Sequence, residues 1–435
     1  MGTRILIIGS GGREHALAYS IVQSPKVGEV LVVLGNAGTE MEKKCRNITL
    51  NRSSFGELAD IVEIEDVNQI IVGPEKPLVK GIVDFFYIRG FFKIFGPTLD
   101  ASAIESDKFF SYEVMNGLRI PQAESILCYT EDEAIEAINK MSSIKGVVIK
   151  ARGLTAGKGV YVCGNKDEAL FRLKKHTNLY GPQVLIAERL FGEEFSVFGI
   201  SDGERVVPLE ISVQDHKPLL NGDKGPNTGG MGAYCPAPIA DSNLVNLVSN
   251  TMMAPLVQIM KKDGREFKGF LYAAVMMTEN GPKILEYNCR FGDPEAQPGV
   301  MMLEDGLYEP ISVALEGRLD EINFKFKPGA ACCVVMASDG YPGKYEKGFP
   351  IGGLEDVAEL NDVKIFHAST KSDEKGIVTN GGRVLGVTAY SKDGIRDAQE
   401  RAYEAVSIID KSTKELNGGK EVFVYRRDIG AKALG

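Results

Sequence analysis

Short apolar runs recur along the chain, and each of the first three is followed by a polar segment rich in glycine. These runs lie at 4–8, 29–33 and 69–72, and their Val, Ile and Leu content is typical of strands buried on both faces of a sheet. A helix is predicted to begin near Ala16, after the first glycine-rich turn. The turns should meet at one sheet edge, where open α/β sheets bind ligands. Residues 1–101 are therefore predicted to form a doubly wound domain.

The first turn, Gly9–His15, has the form of an anion-binding or backbone-contact site between a strand and a helix N-terminus. It is not a complete dinucleotide-binding fingerprint, because Glu14 stands where the third glycine would be. A dehydrogenase is therefore disfavoured.

Apolar runs at 146–150 and 183–188 predict two further strands in the middle of the chain. The first leads into a glycine-rich, hairpin-like loop at 153–160, which lacks the Lys-Ser/Thr ending of a Walker A loop. Its glycines would let the backbone approach phosphates, with Lys150 and Lys158 as charge partners. An ordinary tight hairpin with a solvated lysine remains open as the alternative.

Two polar, glycine-rich segments, at 213–217 and 225–232, show neither helical nor strand periodicity. They are predicted to be long loops, which are uncommon without a function. A mobile surface loop is the alternative.

The stretch Glu286–Glu295 carries the strongest chemical signal in the sequence. It follows the apolar run 282–285, and in an extended backbone Glu286, Asn288 and Arg290 would share one face. Carboxylate and amide oxygens suit Mg²⁺, and a guanidinium suits phosphate or carboxylate oxygens. A strand with a charged solvent face is the alternative, but the dense turn that follows favours a site.

Beyond residue 326, predicted strands at 330–336 and 383–389 and an amphipathic helix at about 394–409 indicate a small α+β domain. The net charge of −9 over 435 residues argues against a general nucleic-acid binder. No apolar segment is long enough to span a membrane or to act as a secretory signal. The seven cysteines lack paired metal spacing, so reduced thiols in a cytoplasmic protein are expected.

Taken together, the glycine-rich and charged motifs resemble those of the phosphoribosylamine–glycine ligase family, from Gly9 to the end of the chain. The residues that carry the resemblance are 9–16, 35–39, 72–75, the Lys-Gly-rich loop, 214–217, 225–232, 288–295 and 379–383. Each motif alone is weak, but their order and spacing make the set specific.

The resemblance implies a multidomain α/β and α+β chain. Its parts would be a doubly wound N-terminal domain at 1–101, an ATP-grasp body at 102–122 and 190–326, a small lid at 123–189, and a small C-terminal α+β domain at 327–435. It further implies that ATP phosphorylates glycine and that 5-phosphoribosylamine attacks the resulting acyl phosphate. ATP and Mg²⁺ (or Mn²⁺) are the expected cofactors, in a cytoplasmic monomer or weak dimer without nucleic-acid or membrane partners.

Site roles follow from the same resemblance. ATP contacts are expected from Lys108, Lys150, Gly153, Gly157, Lys158, Gly159, Glu188, Leu190 and Glu194. Substrate contacts are expected from Gly12, Asn36, Gly38, Thr39, Glu75, Asp215, Lys217, Asn227, Thr228, Gly229, Gly230, Lys371 and Arg383, the last two at the phosphate of phosphoribosylamine. Metal contacts are expected from Glu286 and Asn288, and catalytic roles from Arg290, Asp293 and Lys150.

Three departures from the family pattern matter. Arg152 stands where an aspartate is usual, and its side chain is expected to face solvent. Tyr112 stands where a second lysine is common, and the strand 271–277 carries no acidic residue, which leaves Glu286 as the expected sole carboxylate ligand.

Two rival functions remain open at this point. One is an ATP-grasp ligase or carboxylase for another purine intermediate, against which the 227–232 loop and the 11–15 motif argue. The other is a non-catalytic nucleotide-binding module, which would not need Glu286, Asn288 and Arg290 together.

Replacement of Glu286 tests the metal assignment. Glu286→Gln should leave the fold intact and sharply reduce turnover, because it removes the one carboxylate expected on that strand. Steady-state rates at saturating Mg²⁺ measure the effect, and near-unchanged activity would reject Glu286 as a ligand.

Overall fold

The computed structural model describes residues 2–52, 54–141, 145–155 and 159–435. Its N-terminal part alternates strands and helices, as the apolar runs predict. The elements are β1 Thr3–Gly9, α1 Gly12–Ile21, β2 Val27–Leu34, α2 Ala37–Met41, β3 Cys45–Ile48, α3 Phe55–Ile64, β4 Gln69–Val72, α4 Glu75–Leu78, α5 Ile82–Ile88, β5 Ile94–Phe95 and α6 Ala103–Ser106. The strands form a parallel sheet in the order β3–β2–β1–β4–β5, called here the N-terminal sheet.

Helix α1 begins at Gly12, earlier than the predicted start near Ala16. The backbone N–H of Gly11 donates to Glu14 Oε2 at 2.7 Å, so Glu14 satisfies a donor that the helix end would otherwise leave free. Glu14 is buried, and a Cβ on Gly9 or Gly73 would lie 2.5 or 2.2 Å from its side chain. These two glycines therefore make room for Glu14.

A second, smaller sheet follows helix α7. The elements are α7 Lys108–Gly117, β6 Ser125–Cys128, α8 Glu131–Met141, β7 Val147–Ala151, β8 Val160–Cys163, α9 Lys166–Tyr180 and β9 Val184–Glu188. The strands are antiparallel in the order β6–β9–β7–β8, called here the lid sheet. Helices α8 and α9 cover it with an apolar cluster of its own, which includes Ile138, Ile149, Leu173 and Ile186.

The rest of the chain builds a large antiparallel sheet. Its first elements are β10 Glu193–Asp202, β11 Val206–Asp215, β12 Pro218–Leu220, β13 Lys224–Asn227, β14 Gly232–Cys235, α10 Ser242–Val248, α11 Ala254–Lys262, β15 Lys268–Thr278, β16 Gly281–Asn288, α12 Ala296–Met302 and α13 Tyr308–Leu315. The C-terminal elements are β17 Ala330–Ser338, α14 Leu354–Ala358, β18 Val363–His367, β19 Thr370–Asp373, β20 Gly376–Thr379, β21 Arg383–Ser391, α15 Ile395–Leu416 and β22 Phe423–Val424.

The large sheet runs across the start of the predicted C-terminal domain. Its order is β16–β15–β10–β11–β14–β17–β21–β18, and β22 also pairs with β17. Strand β14 pairs with β17, so the C-terminal strands extend the sheet of the body. The domain boundaries expected from the sequence stay a prediction.

Two sequence expectations were wrong in this region. The segments 213–217 and 225–232 contain the end of β11, part of the β12–β13 hairpin and the start of β14. Strand β13 is exposed at every residue, so no apolar alternation marks it. The amphipathic helix extends to Leu416, and its last turns pack against the segment before α14, since buried Thr413 accepts a hydrogen bond from the Gly352 N–H at 3.0 Å. In the described residues, no helix combines the length and apolar character needed to cross a membrane.

Buried histidines join helix α1 to strand β18. The backbone N–H of His367 donates to His15 Nδ1 at 2.8 Å, and the other ring nitrogen of His15 lies 3.0 Å from Glu42 Oε1. Lys364 also contacts Glu42. Burial lowers the pKa of His367 to about 3, so its ring is neutral at physiological pH.

Acidification should weaken this junction. Unfolded His367 takes up a proton near its ordinary pKa of 6.5, whereas folded His367 stays neutral down to about pH 3, so its contribution to stability is complete above pH 6.5 and falls as the pH decreases below it. Urea titrations at pH 8, 6 and 5 measure the free energy of unfolding. His367→Asn should reduce the fall between pH 6 and 5 by up to about 1.4 kcal/mol. The difference at pH 8 gives the packing cost alone. An unchanged pH dependence would contradict the assignment.

Candidate active site

A cleft of about 580 Å³ lies between the lid sheet, strand β16 and the segments that follow β1 and β4. Most of the residues singled out from the sequence meet there. The predicted residues that line it are Glu75, Lys108, Lys150, Glu188, Leu190, Glu194, Asp215, Lys217, Asn227, Thr228, Gly229, Glu286, Asn288, Arg290, Asp293 and Arg383.

Strand β16 forms one wall of the cleft in the way its alternation predicts. Glu286, Asn288 and Arg290 line the cleft, whereas Tyr287 points into the core and donates from its hydroxyl to the Met252 carbonyl at 2.8 Å. A bulge shifts the register with β15 at Leu285.

Lys108 and Lys150 are two of the cations that line the cleft. In the described part of the chain, neither forms an ion pair, although Lys150 Nζ donates to the Leu285 carbonyl at 3.1 Å. Burial lowers the pKa of Lys150 by more than the charge of Glu286 raises it. Burial also raises the pKa of Glu286, but the nearby lysines, Lys108 foremost, outweigh it and lower that pKa below its usual value. Two lysines therefore share one ionised carboxylate, an arrangement that suits a polyphosphate.

Arg290 lies between two carboxylates at the end of the β16 wall. Its Nε is 3.3 Å from Glu75 Oε2 and its Nη2 is 3.2 Å from Glu105 Oε1. Burial alone would lower the pKa of Arg290, but these two carboxylates raise it. Glu105 also accepts a hydrogen bond from the Cys289 N–H at 2.8 Å, so it fixes both the backbone and the guanidinium at this corner.

Arg383 clamps the turn after β16 to the loop before β14. Its Nη2 donates to Asp293 Oδ2 at 2.8 Å, and its Nη1 donates to the carbonyls of Asp293 at 2.6 Å and Gly229 at 2.5 Å. Gln297 holds the other oxygen of Asp293 at 2.8 Å. Burial raises the pKa of Asp293, but Arg383 and Arg13 outweigh it and lower the pKa. Arg383 therefore joins the turn after β16, the loop before β14 and its own strand at one point of the cleft.

The opposite end of the cleft is apolar. Its lining side chains are Val148, Val160, Val162, Ala187, Leu190, Met276 and Leu285, which come from the lid sheet and from the β15–β16 pair. At the edge of this slot, Glu188 accepts hydrogen bonds from Lys283 at 2.9 Å and from the Glu124 N–H at 3.1 Å. Glu194 accepts one from Lys217 at 2.8 Å. A slot of this kind fits a planar aromatic base with polar groups at its rim.

Asp215 contributes a buried carboxyl to the floor of the cleft. In the described residues its Oδ1 has no hydrogen-bond partner. Burial, with the charge of Glu295 second, raises the pKa of Asp215 well above its usual value. Burial lowers the pKa of neighbouring Lys217, but Glu194 foremost raises it overall.

The remaining predicted residues lie outside the cleft lining. Asn36, Gly38 and Thr39 are buried at the start of α2, where Asn36 Oδ1 caps the helix and its Nδ2 donates to the His367 carbonyl at 2.8 Å. Lys371 is exposed on the hairpin strand β19. The others are Gly12, Gly153, Gly159 and Gly230, and the predicted Gly157 and Lys158 fall outside the described residues.

Gly12 and Gly230 nevertheless border the site. A Cβ on Gly12 would lie 2.5 Å from Gln297 Nε2 and 3.4 Å from Asp293 Oδ1. Gly230 has a φ of +109°, and a Cβ there would lie 2.6 Å from Asp215 Oδ1. Both glycines therefore allow the backbone to approach the cleft floor closely.

The side chain of Arg152 was expected to face solvent; it is 39% exposed, but an ion pair holds it. Its Nη2 pairs with Asp107 Oδ2 at 2.6 Å, and its Nη1 donates to Gln183 Oε1 at 3.1 Å. Tyr112, the other departure in this region, donates from its hydroxyl to the Ser125 carbonyl at 3.0 Å, so it joins α7 to the lid sheet.

Sequence reasoning missed several residues that line the cleft: Arg13, Lys76, Glu105, Arg189, Tyr272 and Glu295. Arg13 and Glu295 stand inside motifs that were recognised, so those motifs could have suggested them. Glu105 and Tyr272 belong to a helix and a strand that carry no chemical pattern of their own.

A lid sheet above a cleft on a large antiparallel sheet, with paired lysines facing a carboxylate, defines an ATP-grasp protein, a class that uses ATP. The comparison with family models agrees, because residues 106–296 match the ATP-grasp (A) domain of phosphoribosylglycinamide synthetase. The N domain of the same family matches residues 3–105, and the C domain matches residues 331–432. The chain belongs to the phosphoribosylglycinamide synthetase family.

Individual relatives support the same conclusion. The phosphoribosylamine–glycine ligase of Rhodopirellula baltica is 45% identical over 415 residues, which cover 93% of this chain and 94% of the relative. The crystal structure of phosphoribosylamine–glycine ligase from Thermotoga maritima has a TM-score of 0.80 at 30% identity and covers 98% of this chain and 100% of its own.

A more distant structural relative shares only the fold. The biotin carboxylase domain of Hydrogenobacter thermophilus 2-oxoglutarate carboxylase is 15% identical, with a TM-score of 0.69 over 100% of this chain and 98% of its own. Its structure contains MgADP, ADP and bicarbonate.

Proposed function

We propose that this protein ligates glycine to 5-phosphoribosylamine, with ATP as the energy source, to give glycinamide ribonucleotide, ADP and phosphate. It is a carboxylate–amine ligase that forms a C–N bond in purine biosynthesis. The observation that carries the proposal is the meeting of Lys108, Lys150 and Glu286 with the Arg383–Asp293 clamp in one cleft. The first set suits nucleotide phosphates, and the clamp organises a second compartment beside them.

ATP occupies the apolar slot and the lysine pair in this proposal. The base lies against the lid sheet, where the backbone at Glu188 and Leu190 reads its edge, and Glu194 meets the ribose. Lys108 and Lys150 contact the phosphates, and the glycine-rich loop between Gly153 and Gly159 covers them. Support comes from the position of both lysines along the cleft and from the apolar lining of the slot.

Mg²⁺ (or Mn²⁺) is held by Glu286 and Asn288 in the same proposal. The donor set fits a hard divalent cation, because both side chains offer oxygens on one strand face and nucleotide phosphates supply further ligands. When bound, the cation would neutralise charge on the phosphates.

The reaction proceeds through glycyl phosphate. A carboxylate oxygen of glycine attacks the terminal phosphorus of ATP, and the bond to ADP breaks. The amine nitrogen of phosphoribosylamine then attacks the acyl carbon, phosphate leaves, and the nitrogen loses a proton. Lys150 and Arg290 stabilise the negative charge on the transferring group, and Asp293 positions Arg383 and the 227–230 loop around the substrates. The free carboxyl oxygen of Asp215 can accept a hydrogen bond from an amino group.

Phosphoribosylamine is proposed to bind where the N-terminal and C-terminal parts meet, with Gly12, Glu75 and Arg383 in contact. Asn36, Gly38 and Thr39 support this region from beneath, and Lys371 on the neighbouring hairpin contributes a positive charge near the phosphate. We further propose a cytoplasmic monomer or weak dimer whose partners are these small molecules, without nucleic acid or membrane.

Substrate choice is the direct test of this function. Purified protein with Mg²⁺ and ATP should release ADP when glycine and phosphoribosylamine are supplied, and product should appear in equal amount. Bicarbonate or formate in place of glycine should give only background release. Release with bicarbonate would instead indicate a carboxylase, and nucleotide binding without turnover would indicate a binding module.

Arg383→Ala should raise the KM for glycine as well as for phosphoribosylamine, because the clamp holds both Asp293 and the Gly229 carbonyl. A charge-assisted contact contributes about 1.5–3 kcal/mol, and the KM for ATP should change less. Lys375→Ala is the matched control, since it removes an exposed charge from the same part of the chain and lies outside the cleft lining. Equal increases for all three substrates, or none, would exclude this role for Arg383.

A further inference from the structure

Arg152 joins three segments at the base of the glycine-rich loop. Its guanidinium reaches Asp107 through Nη2 at 2.6 Å and through Nε at 3.1 and 3.0 Å from the two carboxylate oxygens. Its Nη1 donates to Gln183, the residue before β9. Its carbonyl accepts the Lys108 N–H at 2.8 Å. Arg152, which directly follows β7, therefore contacts the start of α7 and the residue before β9.

The partner carboxylate already has a second task. Asp107 is the N-cap of α7, and its Oδ1 accepts the N–H groups of Phe109 at 2.9 Å and Phe110 at 3.3 Å. The next residue, Lys108, lines the cleft. Because Asp107 is held from both sides, the backbone from which Lys108 projects is fixed relative to the lid sheet.

We propose that Arg152 is a positioning residue that sets the place of Lys108 against the nucleotide phosphates. Its guanidinium also lies 5.0 Å from the centre of the Phe109 ring, which limits its orientation. The inference rests on the proposed binding of ATP in this cleft. Arg152 itself does not line the cleft, so its effect is transmitted through Asp107.

The ion pair between Arg152 and Asp107 is too exposed to contribute much to the stability of the fold. The side chain of Arg152 is 39% exposed and that of Asp107 27%, and pairs of this kind contribute little to the free energy of unfolding. The ion pair instead fixes an orientation, because the planar guanidinium contacts both carboxylate oxygens of Asp107. The hydrogen bond from the Lys108 N–H to the Arg152 carbonyl joins the same two segments. An aspartate at position 152 would place two carboxylates against each other here.

Nucleotide binding without turnover provides the test. The dissociation constants of ADP and adenosine are measured by titration calorimetry for the full chain and its variants. Arg152→Ala should raise the dissociation constant of ADP about five- to tenfold, since a misplaced Lys108 loses its contact with the phosphates. The dissociation constant of adenosine, which has no phosphate, should rise by less than about twofold. Arg152→Lys should restore part of the loss, and Arg152→Asp should be at least as weak as alanine.

Asp107→Asn isolates the pair from the cap. Asparagine caps a helix as well as aspartate does, so this variant keeps the α7 N-terminus and removes the charge. If the ion pair positions Lys108, adding Arg152→Ala to Asp107→Asn should reduce the affinity for ADP little further than Asp107→Asn does alone. Arg172→Ala is the matched control: that side chain is also 39% exposed and pairs with Glu168, but it lies on α9 outside the cleft lining. It should leave both affinities unchanged.

Two results would overturn the inference. An equal loss of affinity for ADP and for adenosine would show general damage to the lid sheet. An unchanged affinity for ADP would show that Arg152 has no positioning role. The proposed function fails by a separate result, which is the absence of glycine-dependent ADP release from the unmodified chain.

Discussion

The arrangement of the cleft depends on how its buried charges are paired. Arg290 is engaged by Glu75 and Glu105, and Arg383 by Asp293. Buried ions are costly unless they are paired, so these contacts fix both the side chains and the strands that carry them. Beside these pairs lies the local group of Lys108, Lys150 and Glu286, in which two positive charges face one negative charge. A phosphate chain with its cation can complete that balance.

This pairing also explains why the site draws on distant parts of the sequence. Arg383 begins β21, which joins the large sheet through β17, and β17 pairs with β14. The C-terminal strands are thus held in register with the body, and the guanidinium of Arg383 reaches Asp293 and Gly229 from a fixed direction. Gly12 lets α1 approach the same turn, because a larger residue would displace Gln297 from Asp293.

The sequence was sufficient for features that arise from local periodicity. The parallel strands of the N-terminal sheet follow from short continuous apolar runs, and the hairpin pairing of β7 with β8 follows from the glycine-rich segment between two such runs. The shared face of Glu286, Asn288 and Arg290 follows from the two-residue repeat of a strand. The family resemblance supplied the roles of residues whose chemistry alone left alternatives open, such as the glycine-rich loop.

What the sequence did not provide was the pairing of residues far apart in the chain. Glu105 contacts Arg290 across 185 positions, and nothing in the short helix α6 marks it for that contact. Arg152 was expected in solvent because its partner Asp107 lies 45 positions away. The exposed β12–β13 hairpin was missed for a different reason, since its pairing is made by the backbone and leaves no apolar pattern.

Polar contacts between residues far apart in the chain also join the lid sheet to the rest of the molecule. It has an apolar cluster of its own, separate from the two clusters that unite the N-terminal and large sheets. Because that cluster contains only residues of the lid sheet and its two helices, its packing stabilises the lid sheet but does not fix the orientation of the sheet relative to the cleft. Polar contacts at its edge, through Arg152, Tyr112 and Glu188, must then define where it stands over the cleft. Such contacts are directional but contribute little free energy each, so they allow a covering element to be both placed and released.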